Sequence, residues 1–582
     1  MDSKIARVES VLPDKVKVRV YDIEKFKADT DQFTVGAYLR ISDHEDGALL
    51  SMIENFTIER DEEKGKESYI LEAAPVGFIN SDGEFQRGGN NIAIPPTGVE
   101  RARAEEIKAI YNNIDTNSQF LFSSLLQNKD VPVPIDGNKF FNKHIAIVGS
   151  TGSGKSHTVS KILQQATNLK NFEEFHLKNH SRIILFDLHD EYRTAFPEGN
   201  HLNVENLNLP YWLMNGEELE ELFVESGENQ SYNQSSLLRQ VITLNKKIKN
   251  PQLNAEEISF DTPIKFSIQE VINCIINLSN ETKNSKKPNE ICFMDENKEF
   301  TTMNEKMQYY FEEIYEFKET KNGSVSKGTY NDGTLEKFKS RIQNKYEDQR
   351  LSFLFQNSNE TIQFEDVLRK LIGFENGSET EKYNVTVIDL SGVPFEVLSI
   401  TVSLISRLLF DFSYVYKRMR NMRNEMREIP LLLVYEEAHK YVPKIKNSRY
   451  NSSRNAIERI AKEGRKYGIS AMIVSQRPSE ISETIFSQCS NFVTMRLTNP
   501  DDQNYIKRLL PDVIEPVTSS LPTLKEGEAI IIGDSITMPS LVKIEMCNPE
   551  PSSQNVGFLD EWKEKWYSPD MTEIIEQWIS KS

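Results

Sequence analysis

From about residue 140 onward, near-continuous apolar runs alternate with helical patterns: 144–148, 182–188 (RIILFDL), 384–390 (NVTVIDL), 430–436 (PLLLVYE), 469–475 (ISAMIVS), 491–497, 528–532 and 541–546. Runs without polar alternation suit strands buried on both faces, so they predict an α/β sheet covered by helices on each side. Before residue 100 the pattern is shorter and more broken. Val16–Val20, Gly36–Ile41, Ser68–Glu72 and Gly77–Ile79 are short strand-like runs, with turn signals at Asp82-Gly83 and Gly88-Gly89 after them, as in a small barrel or sandwich. Pro95-Pro96 and Gly98 end that unit, and Glu100–Tyr111 has the helical character of a linker. Residues 189–383, between the second and third core runs, are far too many for an ordinary connection. Their apolar positions recur at helical spacing: Leu237, Leu238, Val241 and Leu244; Val271, Ile272, Ile275 and Ile276 after a capping box at Ser267 and Glu270; Met307, Tyr310, Phe311 and Ile314; Leu335, Phe338 and Ile342. This predicts an inserted helical domain whose connections, such as Asn277–Asn289, are polar loops. Near the end, Trp562 and Trp566 stand at helical spacing before Ile574, Ile575, Trp578 and Ile579. Such an amphipathic tail serves either as a lid on its own domain or as an arm on a neighbouring subunit.

The predicted organisation is therefore a small β-barrel at 1–100, a linker at 101–139, a core in two parts at 140–215 and 376–548, a helical insert at 216–375, and a tail at 549–582. A length of 582 residues agrees with about three or four units. No window approaches the ~18 apolar residues of a membrane span. MDSKIARVES carries charge where a signal peptide is apolar, so a cytoplasmic protein is expected. The cysteines, Cys274, Cys292, Cys489 and Cys547, fit neither a CxxC nor a zinc spacing. A net charge of −19 argues against a surface that binds nucleic acid everywhere, and leaves room for a local basic patch.

The first apolar core run leads straight into Gly149-Ser150-Thr151-Gly152-Ser153-Gly154-Lys155-Ser156, a GxxxxGKS P-loop. Gly149, Gly152 and Gly154 let the backbone turn with its N–H groups inward on phosphate oxygens. Lys155 is placed for the β- and γ-phosphates and Ser156 for Mg²⁺. The following helix, which includes His157, directs its positive end at the same phosphates. ATP and Mg²⁺ are the expected ligands.

Hydrolysis needs more. Leu431–Glu437 is an apolar strand ending in two acids, and side-chain alternation lets Glu436 face the metal while Glu437 faces the attacking water. Gln476, at the end of 469–475, is a candidate γ-phosphate sensor in the crevice at the carboxyl ends of the strands. Asp187, His189, Asp190, Glu191 and Tyr192 border the same crevice. From Lys440 to Lys466 stand nine basic residues (Lys440, Lys444, Lys446, Arg449, Arg454, Arg459, Lys462, Arg465, Lys466) against Glu458 and Glu463, with Tyr441 and Tyr450 interleaved. Three readings remain open for this stretch: a solvated helix face, DNA phosphate contact, and for Arg465 insertion into a neighbour's nucleotide site as an arginine finger. No NKxD-like segment supports a GTPase, and no LSGGQ-like segment supports an ABC subunit.

Taken together, the P-loop, DLHDEY (187–192), YEEAH (435–439), AKEGRKY (461–467) and VSQRPS (474–479) resemble the HerA family of hexameric ATPases, relatives of the FtsK DNA translocases. The resemblance implies a RecA-like P-loop ATPase core with an N-terminal β-barrel of the HAS type and an inserted helical domain. It implies nucleotide binding by residues 149–157, with Lys155 catalytic, Mg²⁺ on Ser156 and Glu436, Glu437 as catalytic base, Gln476 as sensor and Arg465 as finger. A homo-oligomer, of hexameric form, acting on double-stranded DNA is implied too, with a separate nuclease or a NAD-degrading or other defence effector as partner, and a tail bracing the adjacent subunit. Two departures stand out: Asp190 occupies a position where the family usually has Gly, and only Lys143 stands before the P-loop where a second finger Arg is expected.

Overall fold

The computed structural model describes residues 5–581 except 13–14, 27–33, 43–46, 62–65, 81, 88–98, 112, 170–178, 226–230, 321–322, 356–361, 375–382, 425–426, 446–450, 510–519 and 554–555. The Gly88-Gly89 and Pro95–Gly98 turn signals, Lys446, Arg449 and Tyr450 thus lie outside the described residues. The chain begins with a seven-stranded antiparallel sheet. Its pairing runs Ala6–Val11, Val16–Val20, Lys66–Ile79, Ala48–Asp61, Tyr38–Ser42, Val99–Arg101, with Phe85–Arg87 beside Lys66–Ile79. Alternation in VKVRV sends Val16, Val18 and Val20 into a core with Val8, Leu39, Ile41 and Leu71, while Lys17 and Arg19 face outward to Glu72 and Glu9. The sheet curls about that core, but among the described residues its first and last strands are not hydrogen-bonded to each other. The described pairing is that of a curled sheet. Tyr38, Leu50, Met52 and Phe85 from the other face join the main hydrophobic core.

The main sheet has eleven strands. In chain order these are β1 (Ser123–Leu125), β2 (Asn128–Pro132), β3 (Ile145–Val148), β4 (Ile183–Asp187), β5 (Asn200–Leu202), β6 (Val385–Asp389), β7 (Leu431–Tyr435), β8 (Ile469–Ser475), β9 (Asn491–Met495), β10 (Glu528–Gly533) and β11 (Ser540–Ile544). They lie in the order β2-β1-β11-β10-β9-β3-β8-β7-β4-β6-β5. From β9 to β5 all neighbours are parallel; β10, β11, β1 and β2 continue the sheet antiparallel. The apolar runs at 144–148, 182–188, 384–390, 430–436 and 469–475 are its centre, with every residue of β3, β4, β7 and β8 buried. Residues 119–136, read from sequence as linker, instead supply β1 and β2, because Ser123, Ser124 and Leu125 pair with β11. The long helix Phe395–Arg423 crosses between β6 and β7 and buries its first half, from Val397 to Phe410.

The insert carries helices at Gly216–Phe223, Ser231–Lys249, Ile268–Asn280, Met303–Tyr310, Glu336–Glu347 and Phe364–Leu371. It shares the main hydrophobic core. Ser267 caps its helix by accepting from Glu270 N, but Ser267 N donates to Asn245 and not back to Glu270, so only half of the expected capping box forms. The segment Asn277–Asn289 is not a loop throughout. Asn277 is a buried residue in the last turn of the helix Ile268–Asn280, and Thr282–Asn284 enters a four-stranded sheet with Glu290–Cys292, Asn297–Glu299 and Val325–Lys327. The polar side chain of Asn277 is consumed internally: its amide donates to the Tyr310 and Glu313 carbonyls and accepts from Tyr315 N.

Candidate nucleotide site

The strand order brings the separate motifs to one edge. β3 ends in the P-loop, β8 beside it ends at Ser475-Gln476, and β7 beyond β8 ends at Glu436-Glu437. In register, Val148 faces Ser475 on one side and Thr494 on the other, and Tyr435 faces Ile473. The loop is held by its neighbours: Gly149 N donates to Ser475 O at 3.2 Å, Ser150 N to Arg496 O at 2.7 Å, and Thr498 N to Ser150 Oγ at 3.0 Å. Gly152 and Gly154 have φ of 69° and 93°, and a Cβ on Gly149 would lie 2.5 Å from Ser153 Oγ, so glycine is required for the turn itself. The helix Lys155–Thr167 starts directly from Gly154, with His157 in its first turn beside Cys547.

Lys155 is 8% exposed and its ammonium folds back on Ser150 O at 3.4 Å. Ser156 Oγ donates to Glu191 Oε2 at 2.7 Å, Thr151 Oγ1 donates to Gln476 Oε1 at 2.7 Å, and Arg496 donates to Gly152 O at 3.1 Å. Glu436 accepts from Tyr192 Oη at 3.0 Å through its carboxylate and from Tyr441 Oη at 2.6 Å through its carbonyl. Burial, and next the charge of Glu437, raise Glu436 well above the usual carboxylate range; burial likewise raises Glu437, with Lys155 opposing it. Asp187 rises to about 6 through burial, although the Tyr192, Glu191 and His189 amides pull it down. One carboxylate oxygen of Glu437, Oε2, is buried without a hydrogen-bond partner; it lies 3.2 Å from His439 Nδ1. Among the described residues no three His, Cys, Asp or Glu side chains are arranged to hold a metal by themselves. The donors present are hard oxygens on Ser156 and the paired acids, which fit a magnesium ion that shares its shell with phosphate oxygens and water.

The scan against family models matches the central domain of the helicase HerA over residues 121–409. A probable helicase of Methanocaldococcus jannaschii is 24% identical over 571 residues, covering 93% of each chain. The DNA double-strand break repair helicase HerA of Saccharolobus solfataricus is 28% identical over 476 residues, 81% of this chain and 77% of that one. This chain is a HerA-like ATPase. Among solved structures, VirB4 of Thermoanaerobacter pseudethanolicus covers 75% of this chain and 98% of its own with 14% identity and a TM-score of 0.45, too loose a likeness to add to that statement.

Against the HerA pattern both departures acquire a physical setting. Asp190 has φ 53°, a left-handed backbone that glycine adopts freely and Asp tolerates. Lys143 is ion-paired with Asp534 at 2.5 Å, at the amino end of β3 and away from the P-loop. Arg465 is exposed in the turn that precedes β8, whose seven residues span roughly 20 Å. It is therefore at the far edge of the sheet from its own P-loop and is not brought into this site. Tyr441 is wholly buried against Glu436 and is no part of a phosphate-tracking surface. The basic stretch is in part neutralised: Lys444 meets Glu483 (2.7 Å), Arg454 and Lys462 meet Glu458 (2.8 and 3.3 Å), and Arg459 meets Asp411 (3.5 Å). Lys440, Arg465 and Lys466 are exposed.

Glu191 and Tyr192, expected from sequence only to border the crevice, touch Ser156 and Glu436 of this HerA-like site, and His439 and Arg496 touch its motif residues although no role was assigned to them from sequence. Asp187–Tyr192 at the end of a strand was the available signal for the first two. For Arg496 the signal was an arginine at the end of another apolar run, informative only once β9 is known to adjoin β3. The outer part of the tail is not packed on its own domain. Residues 548–552 bond to the P-loop helix and the Glu191 loop, but Trp562, Trp566 and Trp578 beyond them are 74%, 97% and 72% exposed. Among the described residues of the tail only Phe558–Glu561 and Met571–Lys581 are helical, so Trp566 falls between helices. No helix among the described residues is long and apolar enough to cross a membrane.

Proposed function

We propose that this chain is an ATP-driven motor that moves along double-stranded DNA as a ring, in which residues 149–157 bind ATP and Glu437 activates the attacking water. The observation that carries the reading is the convergence of Lys155, Ser156, Glu436, Glu437 and Gln476 at the carboxyl ends of β3, β8 and β7. Lys155 turns from Ser150 O to the β- and γ-phosphates; Ser156 and Glu436 would hold Mg²⁺, which would supply neutralisation of phosphate charge. Glu437 takes a proton from water as the water oxygen bonds the γ-phosphorus and the bond to ADP breaks, so that ADP and phosphate leave. Gln476 leaves Thr151 for the γ-phosphate. Arg465, on the opposite edge, reaches only the site of an adjacent subunit, where it meets charge developing on that γ-phosphate. The exposed tail lies on a neighbour, the N-terminal sheet closes as a small barrel, and six copies form the ring. DNA double-strand break repair helicases among the relatives support DNA as the track. The test is displacement of a third strand from a DNA triplex by purified protein: ATP-dependent displacement that Glu437→Gln abolishes supports the motor, and none under any salt condition contradicts it.

A second reading is favoured by the neutralised basic stretch and the acidic whole: a nucleotide-controlled ring that assembles and regulates a partner nuclease or defence effector, with translocation secondary. A stable complex with that partner that survives Glu437→Gln, together with absent triplex displacement, selects this reading.

A further inference from the structure

His439 has no part in the roles above, yet its ring stands between the two halves of the site. It lies on the 3₁₀ turn Ala438–Lys440 directly after Glu437 and is 9% exposed. One ring nitrogen, Nδ1, meets two oxygens at the same distance, Ser475 Oγ at 3.2 Å and Glu437 Oε2 at 3.2 Å. A neutral imidazole has either a hydrogen or a lone pair on Nδ1, so it can donate to Glu437 or accept from Ser475 but not both. Ser475 has its hydroxyl hydrogen to give, because Arg477 N already donates to its oxygen at 3.0 Å. Glu437 Oε2 is buried with no hydrogen bond, as it is when Ser475 occupies the ring.

Ser475 is itself coupled to the phosphate loop. Its carbonyl accepts from Gly149 N, and the next residue, Gln476, accepts from Thr151 Oγ1 at 2.7 Å. Anything that draws Gln476 off Thr151 therefore acts on the residue that holds His439. Glu437 has φ 47°, a left-handed backbone uncommon for a residue with a side chain, which fits a group kept poised between two arrangements.

We propose that His439 is a positioning residue for Glu437: it donates Nδ1–H to the carboxylate only after Ser475 releases the ring, so that base orientation depends on nucleotide contact at Gln476. This rests on the reading of Glu437 as the base, and the test separates the two. On the full-length protein, His439→Ala should lower kcat about 30- to 100-fold while affinity for a non-hydrolysable ATP analogue moves less than about 3-fold. His439→Asn, whose amide can donate from nearly the same place, should recover roughly a third or more of kcat. Ser475→Ala, lacking the competing hydroxyl, should raise DNA-independent turnover about 3-fold. Normal turnover in Glu437→Gln overturns the base reading. An inactive Glu437→Gln beside an unimpaired His439→Ala overturns the positioning role instead. So does a His439→Asn protein that binds the analogue normally and stays as inactive as the alanine variant. Should His439→Ala not fold, the Asn and Ser475→Ala proteins decide: unrestored kcat in the first, or unraised turnover in the second with normal analogue binding, overturns the proposal.

Discussion

At the scale of single residues, backbone conformation and buried charge make the sharpest statements. Asp190 is in the left-handed region, where a β-branched residue costs ~1–2 kcal/mol and glycine nothing. Asp190→Val should therefore lower stability by about that amount, while Asp190→Gly stays within about 1 kcal/mol of wild type, since relief of the backbone offsets the freer unfolded chain. Chemical denaturation of both variants checks the contrast. Asp187, raised to about 6, and Glu436, raised from its ordinary 4.5, both hold protons more tightly folded than unfolded. Their contribution to the nucleotide-free fold is complete below the unfolded values and is lost as pH rises through the raised ones. The melting temperature should thus fall from about pH 5 to about pH 8, and Glu436→Gln should flatten that fall, measured by scanning calorimetry without nucleotide. The residues legible in sequence were those whose chemistry is local, Gly149 to Ser156 above all. Glu191 and Tyr192 were legible only as bordering the crevice and His439 was not assigned, because what they touch is set by which strands are neighbours.

At the scale of elements, burial on both faces made the central strands readable, whereas polar composition misled. Asn277 was read as the start of a loop, but it is a buried residue in the last turn of a helix that satisfies three backbone groups of the segment 310–315. Asn277→Leu should cost about 2 to 3 kcal/mol, seen as faster hydrogen exchange across 303–317, with ATP turnover changed less than about 2-fold. Residues 119–136 misled for a related reason. β1 and β2 are short, and β1, through which both join the sheet, pairs with β11 at the far end of the chain, so nothing nearby marks them as part of the sheet. The basic run after Glu437 was legible as charge, and so was Glu458 within it, but Asp411 and Glu483, which also pair with it, come from other elements.

At the scale of the whole molecule, two edges of the main sheet carry different duties. The P-loop edge gathers the nucleotide groups, and the opposite edge exposes Arg465 and Lys466. The proposed ring, with each site completed by a second copy, would account for the distance of Arg465 from Lys155 and for the exposure of Trp562 and Trp566. A chain ending at Ser553 keeps the 548–552 contacts with the P-loop helix; it should fold, but sediment as a smaller assembly than wild type with turnover reduced at least about 10-fold. A motor must couple the energy released at Lys155 and Glu437 to DNA. The most direct measurement is steady-state ATP turnover of the full-length protein with and without duplex DNA over a range of salt. The account predicts that DNA raises turnover several-fold at low salt, that the rise fades steeply as salt increases, and that Glu437→Gln shows none of it. Turnover indifferent to duplex DNA at every salt concentration contradicts it.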